Sequence, residues 1–340
     1  MIKVRHQLKK FASIHTIDLS GMTKLDTAGA MLLHQWVQKN IALENLQSPY
    51  RELYELFESA QPTAKQKPAR SRFSMAAPII RTGKGTLNAL RTARELIVFL
   101  GQATVSLVKT FARPRRLRFG EVTHHIEQIG INAMPIIALI AFLISIVLAY
   151  QSAEQLRPLG AQRFTINLIT ISVLREMGVL LTAIMVAGRS GSAFTAEIGV
   201  MKIREEVDAL KAIGIDPFEL LVIPRVIAIV IALPLLAFLA NMMGLLGGAL
   251  LSKLLIGIDF GQYVDQVQII AANGNALFVG MVKAPVFAFF IGLVACMHGM
   301  KVAGSAESVG IETTASVVHS IFLVLVIDAL FSIFFQQVGI

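Results

Sequence analysis

The chain has 340 residues, of which 55% are hydrophobic and 16% are charged, and its mean hydropathy is +0.66. Soluble domains contain only about 45–50% apolar residues, so the composition excludes a soluble globular protein and indicates several membrane spans. The net charge of +9 does not indicate nucleic-acid binding, because the basic residues concentrate at residues 65–118, as is typical of a flank facing anionic lipid. A single cysteine, Cys296, excludes an intramolecular disulfide and a cysteine metal site.

The first 60 residues have the pattern of a small soluble unit. They predict a strand, a turn and two helices, at residues 14–20, 20–29, 30–39 and 51–59. A unit of about 60 residues has a marginal core, so we expect it to depend on a partner. Residues 61–86 are basic and begin with a stretch rich in Pro, Lys, Arg and Ala, which predicts a linker.

The remaining residues, 87–340, form the predicted membrane domain, and its first segment predicts an amphipathic helix. Residues on one face recur at alternating steps of three and four, at Leu90, Ala93, Ile97, Leu100, Thr104, Leu107 and Phe111. Cationic residues lie near its ends, at Arg91, Arg94 and Lys109. We expect this helix to lie at the inner membrane surface.

Five apolar stretches follow, each long enough to cross the hydrocarbon, which needs about 20 residues. We place the spans near residues 131–152, 164–187, 226–250, 277–297 and 315–335. Lys and Arg mark the cytoplasmic side, and they concentrate between spans two and three, at Arg189, Lys202, Arg204, Lys211 and Arg225. This pattern predicts a cytoplasmic N-terminus and a periplasmic C-terminus.

Four ionisable residues lie near the middle of predicted spans: Arg175, Glu176, Lys283 and Asp328. Each charge alone would cost roughly 2.5–3.5 kcal/mol at the bilayer centre. Since their formal charges cancel, we expect them to face one another or a polar cavity. Two interpretations remain open: a buried network that fixes how the helices pack, or a polar lining for the path of an amphiphilic cargo.

The segment between spans two and three predicts a short amphipathic helix that runs parallel to the membrane. Ile203, Val207, Leu210 and Gly214 share one stripe, and Gly214 followed by Asp216-Pro217 predicts the helix end. Such a helix suits a groove in a soluble ATPase, whereas a merely solvated loop helix would leave the apolar stripe unexplained. Just before it, small residues at 188–193 predict the closely packed end of the second span.

Two further motifs give weaker indications. Residues 188–191 match the G-x-S-G of intramembrane serine proteases, with His298 and His319 as conceivable bases. Residues 82–86 resemble a phosphate-binding loop but lack the required G-x-x-x-x-G-K-[ST] spacing. If ATP drives this protein, the nucleotide site therefore belongs to another polypeptide.

Several motifs together resemble the MlaE-type permease family of ABC transporters, which move phospholipid between the two membranes of Gram-negative envelopes. They are LREMG (174–178), AGRSGSA (187–193), AEIG (196–199), GIDP (214–217), IPR (223–225) and GIETTASVV (310–318). The resemblance implies an all-α polytopic fold in the bacterial inner membrane, with an amphipathic elbow helix, five spans and a cytoplasmic coupling helix. It also implies a homodimer around a lipid cavity, a cytoplasmic ATPase and a periplasmic lipid-binding MCE protein.

The same resemblance implies roles for individual residues. Arg175, Glu176, Lys283 and Asp328 would belong to the lipid path. The ATPase would be coupled through Glu197, Arg204, Glu205, Val207, Asp208, Leu210, Lys211, Gly214, Asp216 and Pro217. No catalytic residue, metal or cofactor is expected in this chain, because ATP would be bound by the partner.

Residues 17–21 (IDLSG) and 25–29 (LDTAG) resemble a partial STAS domain. In permease systems of this type a STAS protein binds the ATPase, so the resemblance implies a fused unit, with a separate STAS protein as a further possible partner and Thr27 as a possible regulatory hydroxyl. We therefore predict a phospholipid permease that maintains outer-membrane lipid asymmetry. The alternatives are an exporter of other hydrophobic compounds that confers solvent tolerance, a STAS-linked anion transporter and an intramembrane serine protease.

Overall fold

A computed structural model describes residues 16–21, 25, 27–37, 41–45, 47–48, 50–52, 54, 76–112, 119–273 and 275–339. Contacts between residues divide the chain into two units, Met1–Lys84 and Gly85–Ile340. Each unit is described by itself below.

The described part of the first unit is a small β-α-β arrangement. It contains β1, α1 and β2, at Thr16–Asp18, Thr27–Val37 and Ala42–Glu44. The two strands pair in parallel, with Thr16 opposite Ala42, and α1 supplies the crossover that parallel strands require. The predicted strand and first helix are present with shifted ends, whereas β2 was missed because it has only three residues.

A turn at Asp18 closes the end of β1. The Ser20 backbone N–H donates to Asp18 Oδ1 at 3.0 Å, and the Asn45 side-chain amide donates to the same oxygen at 3.0 Å. These bonds hold the pKa of the Asp18 carboxyl below its ordinary value. The predicted helix at residues 51–59 lies largely outside the described residues.

The second unit begins within a long helix, α2 (Ala76–Ala112). The amphipathic helix predicted from residue 87 is its C-terminal part, while residues 76–86, predicted to be linker, are also helical. The glycine motif at residues 82–86 therefore lies in a helix rather than in a loop. Phe99 and Ala103 are buried against the spans, and the rings of Phe99 and Phe218 lie 5.0 Å apart.

Among the described residues, five helical segments are long and apolar enough to cross a membrane, so the prediction of an all-α polytopic membrane protein is confirmed. Their bounds are Phe119–Leu159, Gln162–Ile203, Phe218–Ile256, Ala276–Lys301 and Ala306–Val338. They extend beyond the predicted spans, because the helices continue into polar sequence that an apolar window excludes.

Most segments contain more than one helical piece. The first contains α3 and α4, the second α5, α6 and α7, and each of the others one α-helix, α9, α11 and α12. Their bounds are Phe119–Gly130, Met134–Leu156, Thr165–Ser172, Gly178–Val186, Ser192–Ile203, Ile223–Ile256, Ala276–Lys301 and Ala306–Val338. Short α8 (Glu206–Ala212) and α10 (Phe260–Asn273) connect the second to the third span and the third to the fourth.

The prediction that the second span ends at the small residues of 188–193 was wrong. The helix continues to Ile203, and it contains two π-helical turns at Val173–Met177 and Ala187–Gly191. Ser192 Oγ donates to the Gly188 carbonyl at 2.6 Å, so the small polar side chain satisfies the helix backbone instead of ending the helix. A third π-helical turn, Phe218–Val222, begins the third span.

The third span lies at the centre of the bundle. In its most apolar 18-residue stretch 67% of the residues are buried, compared with 11% in the fifth span. Small residues on α9 allow this packing: a Cβ added at Gly247 would lie 2.4 Å from the Phe142 carbonyl oxygen of α4. The two helices therefore touch backbone to backbone at this point.

We predict that Gly247→Ala destabilises the protein, because the added methyl group forces the α4 backbone away. Overpacking of this kind costs about 1–3 kcal/mol, so the midpoint of thermal unfolding in detergent should fall. Gly101→Ala is the matched control, since a Cβ at Gly101 meets nothing within 4 Å. Equal midpoints for the two variants would contradict the close contact of α4 with α9.

Candidate functional site

The four ionisable residues predicted near mid-span lie together. Lys283 of α11 has no exposed side-chain area, and its ammonium lies 2.6 Å from Glu176 Oε2 and 2.9 Å from Asp328 Oδ1. It also donates to Ser332 Oγ at 3.2 Å. These three acceptors match the three N–H donors of a lysine, so the cation is fully satisfied without water.

The remaining members complete the network around Glu176. The Ser332 hydroxyl donates to Glu176 Oε1 at 3.1 Å, and Arg175 Nε lies 3.8 Å from the same oxygen. Sequence reasoning missed Ser332, although it follows Asp328 by four residues and so lies on the same helix face. The network joins the second, fourth and fifth spans.

Backbone geometry brings these helices close enough for the bonds to form. Arg175 and Glu176 lie in the π-helical turn Val173–Met177. A Cβ at Gly280, one turn before Lys283, would lie 2.1 Å from the Leu174 carbonyl oxygen. Since only glycine permits this approach, Gly280 sets the distance between the lysine and its carboxylates.

Exposure separates the network into an enclosed part and an open part. The side chains of Arg175 and Glu176 are 24% and 27% exposed, whereas that of Asp328 is 16% exposed and that of Lys283 is fully enclosed. Lys283 therefore holds its neighbours in place and cannot contact a ligand. Arg175 and Glu176 offer a cation and an anion that remain accessible.

The predicted coupling segment forms α8, bounded by left-handed backbone at Glu205 (φ 60°) and Gly214 (φ 78°). The prediction that its apolar stripe faces a partner was wrong. Val207 is 1% exposed and Ile203 and Leu210 are half-buried, because the stripe packs on this chain. The outward face is mostly charged or small: Arg204, Glu205, Asp208, Ala209, Lys211 and Ala212.

Other residues predicted for coupling have different places. Asp208 pairs with Lys211 at 2.9 Å on the outward face of α8. Asp216 Oδ1 accepts the Phe218 N–H at 2.9 Å, which caps the start of the third span, and Pro217 is buried beside it.

Glu197 lies away from α8, in an ion pair that sequence reasoning missed. Its Oε2 lies 3.1 Å from a guanidinium nitrogen of Arg225, which is buried and also donates to the Leu221 carbonyl at 2.9 Å. Gln128 donates to the other Glu197 oxygen at 3.3 Å, and the Arg225 guanidinium lies over the Phe194 ring. The pair fastens the second span to the third near α8.

Comparison with known proteins identifies the family. The family model described as "Permease MlaE" matches residues 122–334, which include all four ionisable residues of the network and the whole of α8. The chain belongs to the MlaE permease family. In this family the subunits are permeases of ABC transporters, and ATP hydrolysis resides on a separate subunit, so this chain is not itself an enzyme.

Three relatives illustrate the range of MlaE permeases. The chain is 32% identical to a probable ABC transporter permease protein of Rickettsia bellii over 265 residues, 75% of this chain and 96% of that protein. It is 32% identical over 213 residues to the intermembrane phospholipid transport system permease protein MlaE of Haemophilus influenzae, covering 63% and 82% respectively. It is also 30% identical over 240 residues to the chloroplastic protein TRIGALACTOSYLDIACYLGLYCEROL 1 of Arabidopsis thaliana, covering 71% and 67%.

The geometry of this MlaE permease does not fit the serine-protease alternative. Ser190 is buried within a π-helical turn, and among the described residues no hydrogen bond joins it to a histidine. Both ring nitrogens of His298 have other partners, with Glu312 at 2.6 Å and His319 at 2.9 Å. A general base must reach its nucleophile, and neither histidine does so here.

We predict that Lys283→Met strongly destabilises the protein, because Glu176 and Asp328 lose their shared cation. Leaving buried charge unpaired costs about 3–5 kcal/mol, so folded protein in detergent should decrease sharply in size-exclusion chromatography. Adding Glu176→Gln and Asp328→Asn to Lys283→Met should restore much of it, since neutral partners need no counter-ion.

Lys211→Met is the control, because its side chain is 59% exposed in a surface pair that contributes about 0–1 kcal/mol. A triple variant no more stable than Lys283→Met alone would show that charge pairing is not the reason for the loss.

Proposed function

We propose that this MlaE permease moves phospholipid between the inner and outer membranes and so maintains the lipid asymmetry of the outer membrane. The charge network carries the proposal, because it leaves Arg175 and Glu176 partly accessible in the middle of a membrane span. A zwitterionic or anionic headgroup presents phosphate for the guanidinium, and an ammonium or hydroxyl for the carboxylate. The printed name of the Haemophilus influenzae relative, a phospholipid transport permease, supports this substrate class.

A separate cytoplasmic ATPase would drive transport by docking on the outward face of α8. That face carries charges of both signs and the side chain of Ile213, which is 70% exposed although apolar. An exposed apolar residue rimmed by charge is typical of an interface anchor. ATP would be bound by that partner, with no cofactor or metal in this chain.

The second span would transmit closure of the ATPase to the lipid path. Its last helix, α7, leads directly into α8 and carries Glu197, which is bonded to Arg225 of the third span. The same span carries Arg175 and Glu176. Movement of α8 would therefore be conveyed along one helix to the accessible charges.

Two copies of the chain would enclose the lipid cavity. The fifth span supports this arrangement, because only 11% of its most apolar stretch is buried within one chain, and it contributes Asp328 and Ser332 to the network. The residue partition of Lys and Arg supports insertion in the inner membrane with the N-terminus cytoplasmic and the C-terminus periplasmic. A lipid-binding MCE protein would then receive or deliver lipid on the periplasmic side.

The N-terminal unit would act as a fused, partial STAS-like domain that contacts the ATPase, alone or beside a separate STAS protein. Its parallel β1–β2 pair with an intervening helix supports an α/β unit of this kind. The Thr27 side chain, proposed as a regulatory hydroxyl, lies outside the described side chains.

A second candidate is export of other hydrophobic compounds by the same fold. The apolar surroundings of the network would also suit a cargo without phosphate, whereas the accessible Arg175 favours an anionic headgroup. A competition assay with apolar solvents against phospholipid in the reconstituted transporter distinguishes the two.

We predict that Ile213→Asp abolishes copurification of the ATPase subunit while the protein still inserts in the membrane. The substitution places an unpaired charge at the proposed anchor, and loss of such an anchor costs about 2 kcal/mol or more. Leu159→Asp is the matched control, because Leu159 is 75% exposed and lies beyond the opposite end of the second span. Undiminished ATPase capture by Ile213→Asp would refute docking on α8.

We further predict that the triple variant Lys283→Met, Glu176→Gln, Asp328→Asn folds but transfers lipid poorly. Losing a charge-assisted hydrogen bond to a headgroup costs about 1.5–3 kcal/mol, equivalent to roughly 10- to 100-fold. The measurement is ATP-dependent movement of a fluorescent phospholipid in liposomes that contain the permease and its ATPase. Normal transfer by this variant would assign the network a purely structural role.

A further inference from the structure

A second polar site lies away from the charge network, between α2 and the C-terminal end of α11. A cavity of about 350 Å³ opens there. Its apolar walls come from Val98 and Phe99 of α2 and from Met297 and Met300 of α11. Arg91 and Arg94 stand at the same opening, so the cavity joins an apolar interior to a cationic rim.

The two arginines are available for a ligand. Both are exposed, and within the part of the chain that the structure describes neither forms a hydrogen bond or an ion pair. The single acidic residue of the rim, Glu95, would repel an anion, but it is paired with Lys301 of α11. The rim therefore presents two unpaired guanidinium groups, which bind phosphate in a bidentate manner.

The position of α2 favours a ligand that comes from the bilayer. Exposed apolar residues follow one face of the helix, at Leu90, Ile97, Val105 and Val108, which suits immersion at the membrane surface. On the other side Phe99 and Ala103 anchor the helix to the spans. Arg94 and Val98 lie between these two faces, where lipid headgroups meet acyl chains.

We propose that this cavity binds an anionic phospholipid of the adjoining leaflet, with its phosphate on Arg91 and Arg94 and the start of an acyl chain against the apolar walls. The site is separate from the Arg175 and Glu176 path, and the proposal does not depend on transport. A bound lipid would bridge α2 to the end of the fourth span and hold the surface helix in place.

Native mass spectrometry of the full-length protein in detergent tests this site. Phosphatidylglycerol and phosphatidylcholine with identical acyl chains are added separately, and the retained lipid is counted. We expect phosphatidylglycerol to bind about tenfold more tightly, because the second lipid carries a cation that the arginines repel. Equal retention of the two lipids by the unmodified protein would overturn the proposal.

The variant Arg91→Gln, Arg94→Gln should lose this preference. Its matched control, Lys109→Gln, Arg157→Gln, removes two exposed positive charges that do not border the cavity and should keep the preference. If both variants lose it equally, the effect is one of net charge and the site is refuted. Should the first variant fail to fold, a phosphatidylglycerol with a photoreactive headgroup should label α2 near Arg91 in the unmodified protein, and labelling confined to other segments would refute the site.

A soluble anion is the other source of the same phosphate chemistry. Millimolar inorganic phosphate should leave phosphatidylglycerol retention unchanged, because phosphate alone gains nothing from the apolar walls. Displacement of the lipid by inorganic phosphate would assign the arginines to a soluble anion instead and overturn the membrane lipid as the ligand.

Discussion

The ammonium group of Lys283 is enclosed by protein in the middle of a membrane span, and its charge constrains the helices around it. An unpaired cation at this depth costs several kcal/mol, so two carboxylates and a hydroxyl have to come within hydrogen-bond distance. Glu176 arrives on the second span, and Asp328 and Ser332 on the fifth. The positions of three helices are consequently tied to one nitrogen atom, and the rest of the bundle packs in agreement with it.

Close backbone contact makes this arrangement possible. Gly280 lets the fourth span touch the second beside the network, and Gly247 lets the third touch the first. Without a strong hydrophobic force between helices in lipid, such contacts and the polar bonds supply much of the association. The Glu197–Arg225 pair repeats the principle near α8, so the second span is held by charge at two levels.

The sequence predicted the number of spans and the grouping of four charges, since both follow from local hydropathy and the cost of charge in lipid. It did not predict the helix ends, because helices at a membrane continue past the apolar window. It missed the Glu197–Arg225 pair because 28 residues separate the partners and no local pattern links them. The orientation of α8 was wrong because an apolar stripe fits a partner's groove as well as the surface of its own chain, and Val207 selects the latter.

The π-helical turns give the second span a property that its hydropathy does not disclose. Such a turn corresponds to an α-helix with one additional residue, and one residue rotates the following helix by about 100°. Two turns, at Val173–Met177 and Ala187–Gly191, therefore divide the span into three stretches whose faces are out of phase. Tightening either turn into regular α-helix would rotate everything beyond it about the helix axis, so a twist applied at one end could reorient Glu176 without any sideways displacement of the span.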